Sequence, residues 1–222
     1  MKSKSRRLKN LRRRASVKKP RARILIVCEG AKTEPNYFDF LKKQLGLSAI
    51  EVEVCGKECG SAAISVVKFA KDKIDTVPFS PKRDEYDEVW CISDVEAPIQ
   101  DPTLDDAIRM AKSSGITIAL SNPCFEYWYI LHYRKTSPYM NKNKEVIKIL
   151  KKYYPNYDKG SDDILAVIYH KTTEAINNAA EISVEKIWGT DLRKCNPSTD
   201  VYRIVERLQQ ISKEQAAIVP KK

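Results

Sequence analysis

Four short apolar runs, most of them followed by a stretch with helical spacing, constrain this chain more than any other feature. Arg23 to Cys28 (RILIVC) is apolar almost end to end, as a strand covered on both faces must be. Gly30 interrupts it, and Pro35 to Leu45 then carries Tyr37, Phe38, Leu41 and Leu45 at helical spacing. Ile50 to Cys55 alternates as a strand and Ser61 to Ile74 reads as a helix. Glu88 to Ser93 (EVWCIS) is a third strand, Leu104 to Ser113 a third helix and Ile116 to Leu120 a fourth strand. This order predicts an α/β fold: a central parallel sheet with right-handed crossovers and helices on both faces.

From Pro123 onward the pattern turns mostly helical, over Cys124 to Tyr133, Lys144 to Tyr153, Ile164 to His170, Thr172 to Ile187 and Ser198 to Ile211. These helices are expected to pack on the sheet or to form a small subdomain. A length of 222 residues suits one compact domain. The expected organisation is a basic arm over 1–22 and one domain over 23–222, with 134–222 a mainly helical C-terminal extension.

The net charge of +11 belongs to the arm. Met1 to Arg23 holds five Lys, seven Arg and no acid, so the remainder carries 28 basic against 29 acidic residues. Too little apolar surface lies in the arm for it to fold alone, and a mobile extension is expected. Such an arm suits salt-sensitive contact with DNA or RNA. It equally suits a solubilising role or an acidic protein partner. The apolar runs are far shorter than the ~20 residues that span a bilayer, and the start is basic rather than apolar, so no membrane partner and a cytoplasmic location are expected. Cys28, Cys91 and Cys124 sit in or beside apolar runs as reduced thiols should. Cys55 and Cys59 have no second pair to complete a structural zinc site.

In open parallel sheets, functional groups gather at the carboxyl ends of the strands. Strand one runs into Glu29-Gly30-Ala31-Lys32-Thr33-Glu34, and strand three into Asp94-Val95-Glu96. If these strands are neighbours, Glu29, Asp94 and Glu96 meet at one rim. Carboxylates held close raise one another's pKa values unless a cation neutralises them. Oxygen ligands favour Mg²⁺, Mn²⁺ or Ca²⁺, and a hydrated Mg²⁺ leaves positions for substrate phosphate. Gly30 permits a sharp turn and Lys32 is a candidate phosphate contact. No GxxxxGK[ST] nucleotide loop is present. The bland reading of the same residues is a strand-to-helix turn and a solvated loop.

Four blocks carry a resemblance: ILIVCEGAKTEPNYF from Ile24, DEVWCISDVE from Asp87, SNPCFEYWYILHY from Ser121 and NPSTDVYRIVERL from Asn196. In this order and spacing they resemble RloB-like proteins, which include the AbiLii type of abortive phage infection protein. That family resembles the Toprim, Rossmann-like fold of topoisomerases, primases and certain nucleases. The resemblance implies Mg²⁺ (or Mn²⁺) held by Glu29, Asp94 and Glu96, with glutamate standing where Toprim domains carry a second aspartate. It also implies nucleic-acid substrates, an adjacent ATPase partner and a role in antiviral defence.

Asn122-Pro123 reads as a cap followed by the first residue of a helix. Within that apolar helix Glu126 is out of character. It is a candidate fourth ligand, a holder of water, or a partner for Lys32 or another base, and equally a carboxylate held by an ion pair. Phe125, Trp128 and His132 read as core. Ser198 or Thr199 is expected to cap the last helix. Lys142, Lys144, Lys148, Lys151 and Lys152, with Tyr153, Tyr154 and Tyr157, form either a nucleic-acid groove or a solvated face. Lys159 and Lys171 are further candidate phosphate contacts. The functional expectation is a Mg²⁺-dependent Toprim-like nuclease with Glu29, Asp94, Glu96, Lys32 and Glu126 at its site. The alternatives are a non-catalytic adaptor that binds nucleic acid or an ATPase, and a small-molecule phosphotransferase or phosphatase.

Overall fold

The computed structural model describes residues 22–54, 62–76, 86–95, 102–187 and 195–218. The basic arm up to residue 21, Cys55, Cys59 and Glu96 lie outside the described residues.

Strand β1 (Ile24–Cys28) is buried at every position. Its side chains alternate between two cores: Ile24, Ile26 and Cys28 join one apolar cluster, while Leu25 and Val27 join the other. This two-sided burial explains the unbroken apolar run, because a strand facing water on one side would alternate with polar residues. β1 pairs in parallel with β2 (Ile50–Val54) on one side and β3 (Glu88–Asp94) on the other. β3 pairs in parallel with β4 (Thr117–Asn122), and the short β5 (Ser198–Thr199) adds an antiparallel edge to β4. The sheet order is β2-β1-β3-β4-β5.

Helix α1 (Thr33–Gln44) places Tyr37, Phe38 and Leu41 in the first core, whereas α2 (Ala63–Thr76) and α3 (Leu104–Ser113) place Val66, Val67, Ala70, Leu104, Ala107 and Ala111 in the second. Opposite faces follow from a single crossover hand. The chain moves outward from β1 to β2, then back across β1 to β3, so its connecting helices must change sides. The fold is α/β with a mainly parallel sheet and helices on both faces.

Helices α4 (Glu126–Leu131), α5 (Asn143–Tyr153), α6 (Asp163–Ile168), α7 (Thr172–Ile187) and α8 (Val201–Ile218) all contribute to the α1 side. A 3-10 turn at Tyr169–Lys171 joins α6 to α7. α4 is the centre of this layer: Tyr127, Trp128, Ile130 and Leu131 are fully buried, each worth roughly 1.5–3 kcal/mol of transfer energy. Edge-to-face contacts of Tyr37 with Phe125 (5.5 Å) and Trp128 (6.4 Å) lock α1 to α4. His132 is core as expected, its Nδ1 2.9 Å from the Trp128 carbonyl and its ring against the Trp128 indole. Burial lowers its pKa to about 4. Among the described residues no helix is long and apolar enough to cross a membrane.

Three local expectations are corrected. Asn122 is the last residue of β4 rather than a helix cap, the Asn122–Pro123 bond is cis, and α4 begins only at Glu126. The signal misleads because Asn-Pro marks a turn as readily as a helix start. Ser198–Thr199 forms β5 instead of the start of the last helix, since a two-residue strand has no periodicity to detect. Thr199 does cap α8, accepting from the Val201 amide at 3.2 Å. Tyr157 is 2 % exposed, so it is core rather than a stacking platform.

Candidate functional site

The strand order reverses between β1 and β3, which opens a crevice beyond their carboxyl ends. Glu29 follows β1 directly, and its amide donates to the Ile92 carbonyl at 3.1 Å, extending the β1–β3 ladder by one bond. That bond fixes the backbone from which the Glu29 carboxylate turns toward β3. Its Oε2 accepts from the Ser93 hydroxyl and from the Asp94 amide, the latter at 3.2 Å. Glu29 and Asp94, separated by more than sixty residues of chain, are thus brought side by side.

Asp94 is partly exposed as a residue, yet its Oδ1 is sealed from solvent and has no hydrogen-bond partner. Burial raises its pKa well above the usual carboxylate range, and the charges of Glu34, Glu126 and Glu29 raise it further. A buried, open acceptor beside other acids is costly in isolation and is the arrangement a cation relieves.

Glu34 occupies the first turn of α1 and is 6 % exposed. Its carboxylate lies against Gly30, where any β-carbon would overlap it. Glycine at position 30 lets the Glu34 carboxylate sit here, and any larger residue would make it shift. Burial raises the Glu34 pKa, its own backbone amide lowers it, and Glu126 raises it again.

Glu126 opens α4 and is 1 % exposed. It accepts from the Tyr157 hydroxyl at 3.2 Å and lies 3.8 Å from the Lys159 ammonium. The base it holds is Lys159, while Lys32 stays exposed at the rim. Burial alone would lower the Lys159 pKa. The carboxylates of Glu126, Asp94 and Glu34 outweigh that and hold it above its usual value. The loop carrying Tyr157 and Lys159 is clamped onto α1: the Asn36 side-chain amide donates to the Gly160 carbonyl at 3.1 Å, and the Lys32 stem packs on Gly160. Gly160 has φ +87, and a β-carbon there would come within 2.7 Å of Lys32 Cδ.

The result is a crevice with four acids (Glu29, Glu34, Asp94 and Glu126), one tethered ammonium and Lys32 at its lip. Among the described residues no three His, Cys, Asp or Glu side chains form a ready-made metal cage. The oxygen pair Glu29 and Asp94 nonetheless fits Mg²⁺, which is usually held by one or two carboxylates together with waters and substrate phosphates. Glu96, the third expected ligand, is outside the described residues.

A match to the RloB-like protein family covers residues 24–208. The chain belongs to that family. No curated protein and no solved structure matches it.

Sequence reasoning placed Glu29, Asp94 and Glu126 of this RloB-like chain at one rim, and the fold brings them there. It passed over Glu34 and gave no reason to prefer Lys159 over Lys171. Glu34 had a visible signal, since an acid in the first turn of a helix that leaves β1 must lie near the same rim. Lys159 had none: its loop follows α5, far along the chain from both strand ends. Lys171 instead lies 4.9 Å over the Tyr133 ring.

Proposed function

We propose that this RloB-like protein is a divalent-cation-dependent phosphodiesterase that cleaves DNA or RNA in cytoplasmic antiviral defence. The observation that carries the reading is the meeting of Glu29 with Asp94 at the β1–β3 crevice, with Asp94 Oδ1 buried and unpartnered. The likeness of the strand-end acids to the Toprim pattern adds support, as does the absence of any nucleotide-binding loop.

Glu29 and Asp94 would hold Mg²⁺ or Mn²⁺, with Glu96 as the adjoining third carboxylate. Such an ion, when bound, supplies charge stabilisation at the scissile phosphate and a more acidic attacking water. Glu126 anchors Lys159 so that its ammonium faces the acid cluster, positioned to balance substrate charge. Lys32, exposed at the lip, is a flexible second phosphate contact. The Ser93 hydroxyl orients the Glu29 carboxylate toward β3. An ATPase partner, implied by the family resemblance, belongs to this reading as the component that licenses activity.

Purified protein, with and without a co-expressed ATPase, is incubated with DNA, tRNA and other RNAs in Mg²⁺ or Mn²⁺. Cleavage is expected that EDTA abolishes and that the double variant Glu29→Ala, Asp94→Ala lacks. Undiminished cleavage by the double variant would remove this crevice from the mechanism. Salt-sensitive binding with no turnover under any condition would leave the adaptor role.

A further inference from the structure

Helix α5 carries Lys144, Lys148, Lys151 and Lys152. At ~100° per residue these positions fall within an arc of about 100° and run about 12 Å along the axis. The opposite side of the helix buries Val146 and Leu150 completely. All four lysines are exposed, and none forms an ion pair or hydrogen bond with a described residue. The one acid of α5, Glu145, is turned back to accept from the Asn141 amide at 2.8 Å. Further along the chain Asp158 accepts from the Lys159 amide at 3.0 Å and Asp163 from the Ser161 hydroxyl at 3.2 Å. Four ammonium groups against the single carboxylate of Glu145 leave α5 with a net positive exposed face.

Its place in the fold gives the strip a direction. The chain leaves α5 at Tyr153 and enters the loop that delivers Tyr157 and Lys159 to Glu126 and seats Gly160 on Lys32. The loop that leaves α5 thus ends at the acidic crevice, with Lys159 and Lys32 beside it. We propose that the lysine face of α5 is a docking track for the phosphate backbone of a nucleic acid, leading its strand to Glu29 and Asp94. This rests on the reading of the crevice as a nucleic-acid site. Over ~12 Å a duplex carries about seven phosphates, more than enough for four lysines to engage.

The test uses the full chain in EDTA, so that binding is measured without cleavage. Anisotropy of labelled duplex DNA, single-stranded RNA and tRNA is followed from about 50 to 300 mM salt. The quadruple variant Lys144→Gln, Lys148→Gln, Lys151→Gln, Lys152→Gln is compared with a control, Lys68→Gln with Lys112→Gln, which removes two exposed lysines from α2 and α3 on the other face of the sheet. Each lost phosphate contact reduces the salt slope by about 0.7–0.9, so the quadruple variant should lose two or more units of slope and at least about tenfold in affinity at 0.1 M salt. The control should match wild type, and Lys→Arg at the same four positions should restore the slope. An unchanged slope in the quadruple variant overturns the track, as does failure of the wild type to bind all three probes. Lysine-dependent binding without cleavage in Mg²⁺ or Mn²⁺ would sink the nuclease reading and leave the track standing. Cation-dependent cleavage by a protein whose binding ignores these lysines would do the reverse.

Discussion

Two neighbouring stretches of the sheet's carboxyl rim treat buried polar groups in opposite ways. At β4 and β5 neutral groups pair with one another: Ser121 Oγ lies 2.9 Å from Thr199 Oγ1, and the Asn196 side-chain amide donates to Asn122 Oδ1 at 3.0 Å and to the Met140 carbonyl at 2.8 Å. Asn196 Oδ1 in turn accepts from the Met140 amide at 2.8 Å. Beyond β1 and β3, acids crowd together, Asp94 Oδ1 lacks a partner, and burial with neighbouring charge pushes the Asp94 and Glu34 pKa values up. A closed network of neutral groups stabilises the fold, whereas an open acidic cluster opposes it and is retained where a ligand completes it.

The contrast can be broken most directly at Asn196. Asn196→Ala removes three hydrogen bonds and strands the buried Met140 backbone, so a loss of about 2–4 kcal/mol is expected in urea unfolding with an unchanged m-value. A loss under about 0.5 kcal/mol would mean that this network is not structural.

Asp94→Asn should act in the opposite sense. The folded protein keeps Asp94 protonated to higher pH than an unfolded chain does. Its contribution is fully present below the ordinary value of 3.8 and is lost as pH rises through the raised folded value. At pH 7.5 in EDTA the variant should therefore be more stable by about 1 kcal/mol, an advantage that shrinks as the pH falls. Added Mg²⁺ or Mn²⁺ should raise the Tm of the wild type and leave that of the variant where it was. A variant less stable than wild type in EDTA would contradict the open-site reading of Asp94.

Two further changes sharpen the boundary between the two stretches. Tyr157→Phe removes one donor to Glu126 and should cost about 1–1.5 kcal/mol, measured as a shift of the urea midpoint. Ser121→Ala should cost about 0.5–1 kcal/mol, because Thr199 Oγ1 keeps its bond from the Val201 amide. If the Ser121 change proved the costlier of the two, the acidic crevice would hold its loop less firmly than its geometry suggests.

Much of this was legible in advance. The bounds of α3 and α7 agree with those read from periodicity, because each helix has a clean apolar face that local spacing reveals. Glu29 and Asp94 were legible because each directly follows an apolar run. β5 was not, having only two residues, and neither was the Asn122–Asn196 bond, which joins positions 74 apart. Tyr157 was misjudged because an aromatic after a lysine-rich helix looks the same whether it faces solvent or the Glu126 carboxylate.

By itself the sequence determined the α/β class, the two-sided burial of β1 and the presence of acids at two strand ends, since each of these is written in residues within a few positions of one another. Only the tertiary structure decided that β1 and β3 are neighbours, that Glu34 joins Glu126 at the same crevice, and that Lys159 is their counter-charge. The reason is that local periodicity specifies which face of an element is buried. Which distant element covers that face depends on packing the whole core at once.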